Sequence, residues 1–168
     1  MSESEEAHLA RRAQIVRGIV EKTGVDEGMV KTLVHTFYGK VRQDPLLGPV
    51  FDRVIGDHWD AHLAKMCDFW SSVMLMSGRY KGNPMIAHMR LKMVGPQHFE
   101  RWLQLFGETA EEVCPPNASE AFVARAQNIA RRLQLGMFYR AYRNPAANTW
   151  TAWKSVRWTA STKVRTCW

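Results

Sequence analysis

Cysteine is scarce in this sequence of 168 residues. The three cysteines, Cys67, Cys114 and Cys167, are an odd number, and no two of them lie close together in the chain. Disulfide-rich domains and zinc modules need paired cysteines, often at Cys-x-x-Cys spacing. The sequence therefore excludes both classes, and the cysteines are interpreted as incidental thiols.

Long apolar runs are also missing. No stretch approaches the roughly 18 consecutive apolar residues that a membrane-spanning helix needs. The segment from Met1 to His8 is acidic and has no apolar core behind a basic start, so it does not resemble a secretory signal. We therefore expect a cytoplasmic globular protein without a transmembrane segment. Its 46% hydrophobic content is enough for one buried core.

Negative charge is absent from the end of the chain. Six basic residues and no acid follow position 139, so residues 1–139 carry only +1 of the formal net charge of +7. The final segment, 144–168, also contains four of the tryptophans, Trp150, Trp153, Trp158 and Trp168. Aromatics interleaved with cations suit an anionic membrane surface or single-stranded nucleic acid. The helical pattern there is poor, so a loosely ordered extension is the favoured interpretation, and no nucleic-acid partner is expected.

Alternation of apolar and polar residues with period 2 is not found, which excludes a sheet as the main element. Apolar residues instead recur at helical spacing, and the fold class is predicted to be all-α. The patterns predict helices over about 8–22, 26–44, 57–77, 84–89, 96–114 and 117–143, with Asp26 and Asn83 as the caps of the second and the fourth. Gly48 and Pro49 interrupt the apolar segment 46–51, which is predicted to be a loop that carries Phe51 inward.

Two of the six histidines lie on apolar helical faces. His62 and His88 belong to separate predicted helices, so both can point into one interior from different elements. A flat apolar cofactor such as haem would use this arrangement, because haem iron takes an axial imidazole. Packed core histidines and a non-haem metal site are the competing interpretations. The sequence lacks His-Glu-x-x-His and Cys-x-x-Cys-His, and neither histidine has a Glu three residues before it, so noncovalent haem is favoured.

Four motifs then resemble the group III truncated haemoglobins, over about residues 30–140. They are Phe37-Tyr38 with Gly48-Pro49-Val50-Phe51, Trp59-x-x-His62-x-x-Lys65 with Phe69-Trp70, Pro84-x-x-x-His88, and Phe99-x-x-Trp102-x-x-Leu105-Phe106. The paired-glycine motifs of other truncated groups are missing, as in group III. The resemblance implies a truncated globin, a two-on-two helical sandwich over residues 26–143. An extra N-terminal helix in residues 1–25 and the C-terminal extension 144–168 would flank it.

The resemblance also assigns roles to residues. His88 matches the iron ligand, while Tyr38, His62 and Trp102 match the side of the haem where a diatomic ligand binds. His62 has three open roles: hydrogen bonding to the ligand, swinging aside as a gate, or binding the iron itself. The expected haem contacts are Phe51, Lys65, Met66, Met85 and Phe99, with Ile86 and Met137 as further apolar neighbours; Lys65 would reach a haem carboxylate.

The cofactor implied is haem b, and the ligand is dioxygen, nitric oxide or a similar molecule. Several donors around a bound ligand slow its release, so redox chemistry is expected over oxygen delivery. Nitric oxide dioxygenation and peroxidase-like turnover are the two candidates, and each needs an unidentified reductase. The alternatives are a non-enzymatic haem module for sensing, storage or electron transfer, and a haem-free helical interaction domain.

Overall fold

The computed structural model describes residues 3–142, and the tail 144–168 lies outside the described residues. Within this part of the chain the structure is all-α, as predicted, and contains no strand. Its helices are α1 Glu3–Thr23, α2 Glu27–Gln43, α3 Gly48–Ile55, α4 Trp59–Leu75, α5 Pro84–Met89, α6 Pro96–Val113 and α7 Pro116–Tyr142. No helix among these residues is long and apolar enough to cross a membrane.

The helix starts follow from local chemistry. The Asp26 carboxylate accepts a hydrogen bond from the Met29 amide at 2.7 Å, which caps α2 as predicted. Asn83 caps α5 in the same way, through the Ile86 amide at 3.2 Å. Pro84, Pro96 and Pro116 are the first residues of their helices, a position where the missing amide hydrogen costs nothing.

The predicted loop over 46–51 is wrong, because residues 48–55 form α3. Pro49 is the second residue of α3 and helps to start the helix rather than break it. Gly48 is required for a different reason: a Cβ atom there would lie 2.8 Å from the Arg42 carbonyl oxygen. The glycine therefore lets α3 begin directly against the end of α2. Phe51 is carried by a helix.

The core is centred on α2, which packs against α6, α4 and α3. Its buried side chains are Val30, Leu33, Val34, Phe37, Tyr38 and Val41. Aromatic rings continue the core between helices: Phe106 stacks on Trp70 with centroids 4.9 Å apart, and on Trp102 with centroids 5.1 Å apart. Phe37 meets both Trp102 and Phe106 edge-on. These contacts fix the α2, α4 and α6 side chains that face the cavity described below.

The first helix buries little of its apolar stripe. Leu9 is 54% exposed and Val20 is 36% exposed, although both belong to the helical spacing that predicts this helix. The Arg12 guanidinium donates to the carbonyl of Met76, just after the end of α4, and α1 packs against α4. A polar contact thus holds α1 where apolar burial is small.

The segment between α4 and α5 is tied back to the helices by polar groups. The Arg79 guanidinium pairs with Glu27 of α2 at 2.6 Å and with Asp68 of α4 at 3.0 Å. The Tyr80 amide donates to the Ser72 hydroxyl at 2.9 Å. Because this segment joins the helices that carry His62 and His88, these contacts help to set the position of α5.

Candidate functional site

A cavity of about 560 Å³ lies among α2, α3, α4, α5, α6 and α7. This volume is within the range of about 300–1,000 Å³ that ligand and cofactor sites occupy. Most of its lining is apolar, and no carboxylate is found among the described lining residues. The structure brings eight of the nine predicted site residues to this cavity: Tyr38, Phe51, His62, Lys65, Met66, His88, Phe99 and Trp102.

His88 is held in one orientation by its own helix. Its Nδ1 lies 2.7 Å from the carbonyl oxygen of Pro84, one turn earlier in α5. A carbonyl oxygen can only accept, so Nδ1 carries the hydrogen and the Nε2 lone pair is left for a metal. Metal-binding histidines typically use this bond to fix the ring. The His88 side chain is therefore prepared to bind iron from α5.

His62 leaves a buried polar atom without a partner. Within the described part of the chain, its Nε2 has no hydrogen bond although it is shielded from solvent. Such atoms are rare in folded proteins and often mark a ligand site. Burial, together with the positive charge of Lys65, lowers the pKa of the His62 imidazole. His62 is thus neutral at pH 7, with one nitrogen free to meet a ligand.

Tyr38 belongs to α2, and its ring lies beside the imidazole of His62 on α4. The two ring centroids are 5.1 Å apart with planes at 86°, and Tyr38 is only 4% exposed. Burial raises the pKa of the Tyr38 phenol, so the hydroxyl stays protonated at any ordinary pH. No group of residues 5–138 hydrogen-bonds to this hydroxyl. It remains a donor that the cavity can use.

Trp102 supplies a second donor from α6. Stacking on Phe106 and edge contact with Phe37 hold the indole, and its N–H has no acceptor among the residues described. Trp59 shows the contrasting case, because its N–H donates to Asp52 at 3.2 Å and its ring does not line the cavity. An indole N–H can donate but not accept. Trp102 therefore favours a ligand that carries negative charge.

The apolar walls come from several helices. Phe51 and Met66 are half-buried, Phe99 is buried, and each lines the cavity from a different helix. Lys65 is exposed, one turn before Phe69, and reaches the cavity from its solvent side. These residues surround the space in the way a flat apolar ring with charged edges needs.

Met85 is the one predicted site residue that the cavity does not include. Its thioether packs beside Gly136 of α7, where a Cβ atom would collide with the sulfur. Met85 therefore fixes α5 against α7. The predicted neighbours Ile86 and Met137 also lie outside the lining, and Ile86 is 53% exposed.

Sequence reasoning missed three polar residues of the cavity. They are His58, which precedes α4, Tyr80, in the segment before α5, and His98, in the first turn of α6. None lies on an apolar stripe, which is the signal that identified His62 and His88. For His98 the available signal was its place three residues after Gly95, where a side-chain acceptor can reach back to the amide that precedes the helix.

The cavity fits a haem group on the evidence of its own residues. His88 presents a free Nε2, while Tyr38, His62 and Trp102 carry polar atoms without described partners. The space around them is apolar and large enough for a small cofactor. One fixed imidazole together with unpartnered polar atoms on three other helices matches what iron binding and ligand binding would need.

Comparison with known proteins identifies the family of the chain. The family model described as bacterial-like globin matches residues 18–134. The chain is 35% identical over 119 residues to the protein named group 3 truncated hemoglobin ctb from Campylobacter jejuni, covering 69% of this chain and 93% of that protein. The crystal structure of a group III truncated hemoglobin from Campylobacter jejuni superposes with a TM-score of 0.66 at 34% identity, covering 69% of this chain and 94% of the other. The chain belongs to the bacterial-like globins and, within them, to the group III truncated haemoglobins.

Proposed function

We propose that the protein binds haem b through His88 and uses it for redox chemistry on a bound diatomic ligand rather than for oxygen delivery. Haem binding and ligand binding follow from membership of the globin family. The identity of the haem, the residue roles and the reaction are the proposal. Nitric oxide dioxygenation and peroxidase-like turnover are the two reactions considered.

The unpartnered polar groups of the cavity are the observation that carries the proposal. Tyr38, His62 and Trp102 lie on α2, α4 and α6, and none of them has a hydrogen-bond partner for its ligand-facing atom in the described chain. Hydrogen-bond donors in a dry cavity stabilise negative charge strongly. A carrier that must release oxygen quickly is poorly served by several such donors.

When bound, haem iron supplies ligand binding and one-electron chemistry. The residues of the chain supply hydrogen bonds to the bound ligand and exclude water from it. Trp102 donates to an atom that gains negative charge, and the Tyr38 hydroxyl can donate there too or accept from a neighbour. The neutral His62 imidazole adds either a donor or an acceptor on the same side as Tyr38. The apolar wall from Phe51, Met66 and Phe99 excludes water from these groups.

Cofactor binding is tested by loading the full chain with haem b. His88→Ala should lose the iron–imidazole bond, which a ferrous absorption spectrum reports. His35→Ala, at an exposed position of α2, is the matched control and should keep the parent spectrum. An unchanged spectrum and haem affinity in His88→Ala would instead direct attention to His62.

The reaction is tested by turnover with an added reductase that replaces the unidentified natural one. Purified protein, NADPH and a ferredoxin–NADP reductase are supplied with nitric oxide in air, and consumption of nitric oxide is followed. Sustained consumption that falls at least severalfold in the double variant Tyr38→Phe, Trp102→Phe supports the proposal. A single stoichiometric reaction, or equal turnover in both proteins, contradicts it. A parallel assay with hydrogen peroxide distinguishes the peroxidase-like reaction.

The unpartnered Nε2 of His62 favours one alternative, a non-enzymatic haem module in which His62 would bind the iron together with His88. In that state the ferric protein would be low-spin, and His62→Leu would convert it to high-spin. A high-spin parent protein excludes this alternative. The natural reductase and the cytoplasmic location remain predictions from the sequence.

A further inference from the structure

His98 occupies the third position of α6, in the wall of the cavity. Its Nδ1 accepts a hydrogen bond from the Gly95 amide at 3.0 Å, so the side chain caps the backbone at the start of the helix. The side chain is half-buried and lines the same cavity as His88. The Nδ1 atom of the imidazole is thus occupied by a hydrogen bond with the backbone.

This bond fixes the tautomer of the ring. Because Nδ1 accepts from an amide that can only donate, the hydrogen of the neutral imidazole lies on Nε2. No group in the described chain accepts a hydrogen bond from that Nε2. His98 therefore brings a preformed N–H donor to a cavity whose described lining includes no carboxylate.

Iron is not the partner that this tautomer suits. An imidazole binds a metal through a nitrogen without hydrogen, and moving the hydrogen to Nδ1 would break the bond with Gly95. His88 has the reverse arrangement, with its hydrogen on Nδ1 and a free Nε2. The two histidines are thus prepared for different tasks.

We propose that the His98 Nε2–H donates a hydrogen bond to one of the two haem carboxylates. This inference rests on the proposed binding of haem b. A carboxylate is an acceptor that haem itself brings to the cavity, and a hydrogen bond to a charged acceptor is stronger than one to a neutral acceptor. His98 differs from the predicted carboxylate contact Lys65, because the Lys65 side chain is exposed and no described residue holds it.

The test measures the rate of haem transfer from the full-length holoprotein to excess apomyoglobin. Three variants separate the donor from the helix cap. His98→Leu loses both functions, while His98→Glu keeps an acceptor for the Gly95 amide but cannot donate. His98→Gln keeps both an acceptor and a donor. Each protein is loaded either with haem b or with its dimethyl ester, in which the carboxylates are masked.

With haem b, we expect transfer about tenfold faster in His98→Leu, which is the size of one hydrogen bond to a charged group. His98→Glu should be at least as fast as His98→Leu, and His98→Gln close to the parent protein. With the dimethyl ester, His98→Leu and the parent should differ by less than about twofold.

Three results would overturn the inference. They are equal transfer of haem b by all four proteins, an accelerated His98→Leu that stays accelerated with the ester, and a His98→Glu as slow as the parent. The last two would show that His98 acts only through the helix cap or the packing. If the parent protein took up no haem b, the proposed function would fail first, so the two failures are distinguishable.

Discussion

The free hydroxyl of Tyr38 and the free indole N–H of Trp102 have a measurable consequence for ligand release. Tyr38→Phe and Trp102→Phe each remove one donor and keep most of the ring. A hydrogen bond to a charged acceptor contributes about 1.5–3 kcal/mol, so each substitution should speed dioxygen release roughly 10- to 150-fold. Flash photolysis or stopped-flow displacement from the ferrous protein measures the rate.

Trp59→Phe is the matched control for this prediction. It makes the same chemical change at an indole whose N–H is already bonded to Asp52, outside the cavity lining. Its release rate should stay within about twofold of the parent rate. Unchanged release in both Tyr38→Phe and Trp102→Phe would remove these two residues from the ligand site.

The neutral state of His62 sets a pH dependence. Burial and the Lys65 charge lower the pKa of His62, so the imidazole stays neutral as the pH falls through its ordinary value of 6.5 and takes up a proton only below it. A charged imidazolium is unstable in this apolar cavity, and its protonation should change ligand release. We expect a pH profile of release with a midpoint below 6.5 that disappears in His62→Leu. A midpoint above 6.5, or a profile that persists in the variant, would contradict this assignment.

Among the elements, α3 depends on a glycine, Gly48, at its first position. In Gly48→Ala the new Cβ atom would meet the Arg42 carbonyl, which is backbone and cannot move aside alone. Overpacking of this kind costs about 1–3 kcal/mol of unfolding free energy. Because α3 carries Phe51, Val50 and Val54 into the cavity wall, haem transfer to apomyoglobin should also accelerate.

Gly39→Ala provides the comparison within the neighbouring helix. Gly39 is an exposed residue of α2, and a Cβ atom added there would meet nothing within 4 Å, so alanine should raise the unfolding free energy by about 0.5–1 kcal/mol. Urea unfolding of both variants measures the difference. If Gly48→Ala and Gly39→Ala changed the unfolding free energy equally, the close approach of Gly48 to α2 would make no contribution to stability.

Asp44 joins three elements at the turn between α2 and α3. Its carboxylate accepts from the Leu46 and Leu47 amides and pairs with Arg101 of α6 at 2.7 Å. Burial alone would raise the pKa of Asp44, but the bonds from Leu47, Arg101 and Leu46 outweigh it and the pKa is lowered. The folded state therefore favours the charged carboxylate.

The stability that this lowered pKa provides is complete above the ordinary Asp value of about 3.8 and is lost as the pH falls through the folded value. Asp44→Asn should lower the unfolding free energy at pH 7 by about 1–3 kcal/mol and flatten its fall in acid. Glu112→Gln makes the same change in the exposed pair with Lys40 and should cost less than about 1 kcal/mol. If the unfolding free energy of the parent protein did not fall in acid, the role of Asp44 would be contradicted.

Sequence patterns identified the elements that follow simple local rules. Periodicity gave the long helices, and the caps at Asp26 and Asn83 located two of their starts. The helix α3 was missed because Gly48 and Pro49 resemble breakers, and only the approach of α2 shows why glycine is needed there. Met85 lies outside the cavity lining, which the sequence could not predict since a helix of six residues has too few turns to tell one face from another.

At the scale of the whole molecule, one prediction concerns the basic, tryptophan-rich tail. Its residues 144–168 lie outside the described part of the chain, while the core and the cavity belong to the unit that ends at Met137. We predict that deletion of residues 146–168 leaves the haem spectrum and the ligand rates unchanged. Absorption spectra and flash photolysis of the shortened chain test this.

Loss of haem, or ligand rates that shift severalfold, would show that the tail contributes to the cavity. Binding of the intact chain to anionic vesicles or oligonucleotides is a separate measurement. If such binding weakened with salt and vanished on truncation, the tail would be an interaction surface rather than a loose extension.

The aromatic stack gives the molecule an optical property of its own. Four of the seven tryptophans lie in the residues that the deletion removes, which leaves Trp59, Trp70 and Trp102. Two of these three indoles, Trp70 and Trp102, line the cavity, and each stacks on Phe106. Haem absorbs at the wavelengths where indole emits, so its arrival beside these rings quenches their fluorescence by energy transfer. The shortened chain thus reports cofactor loading through its natural emission, without an attached dye.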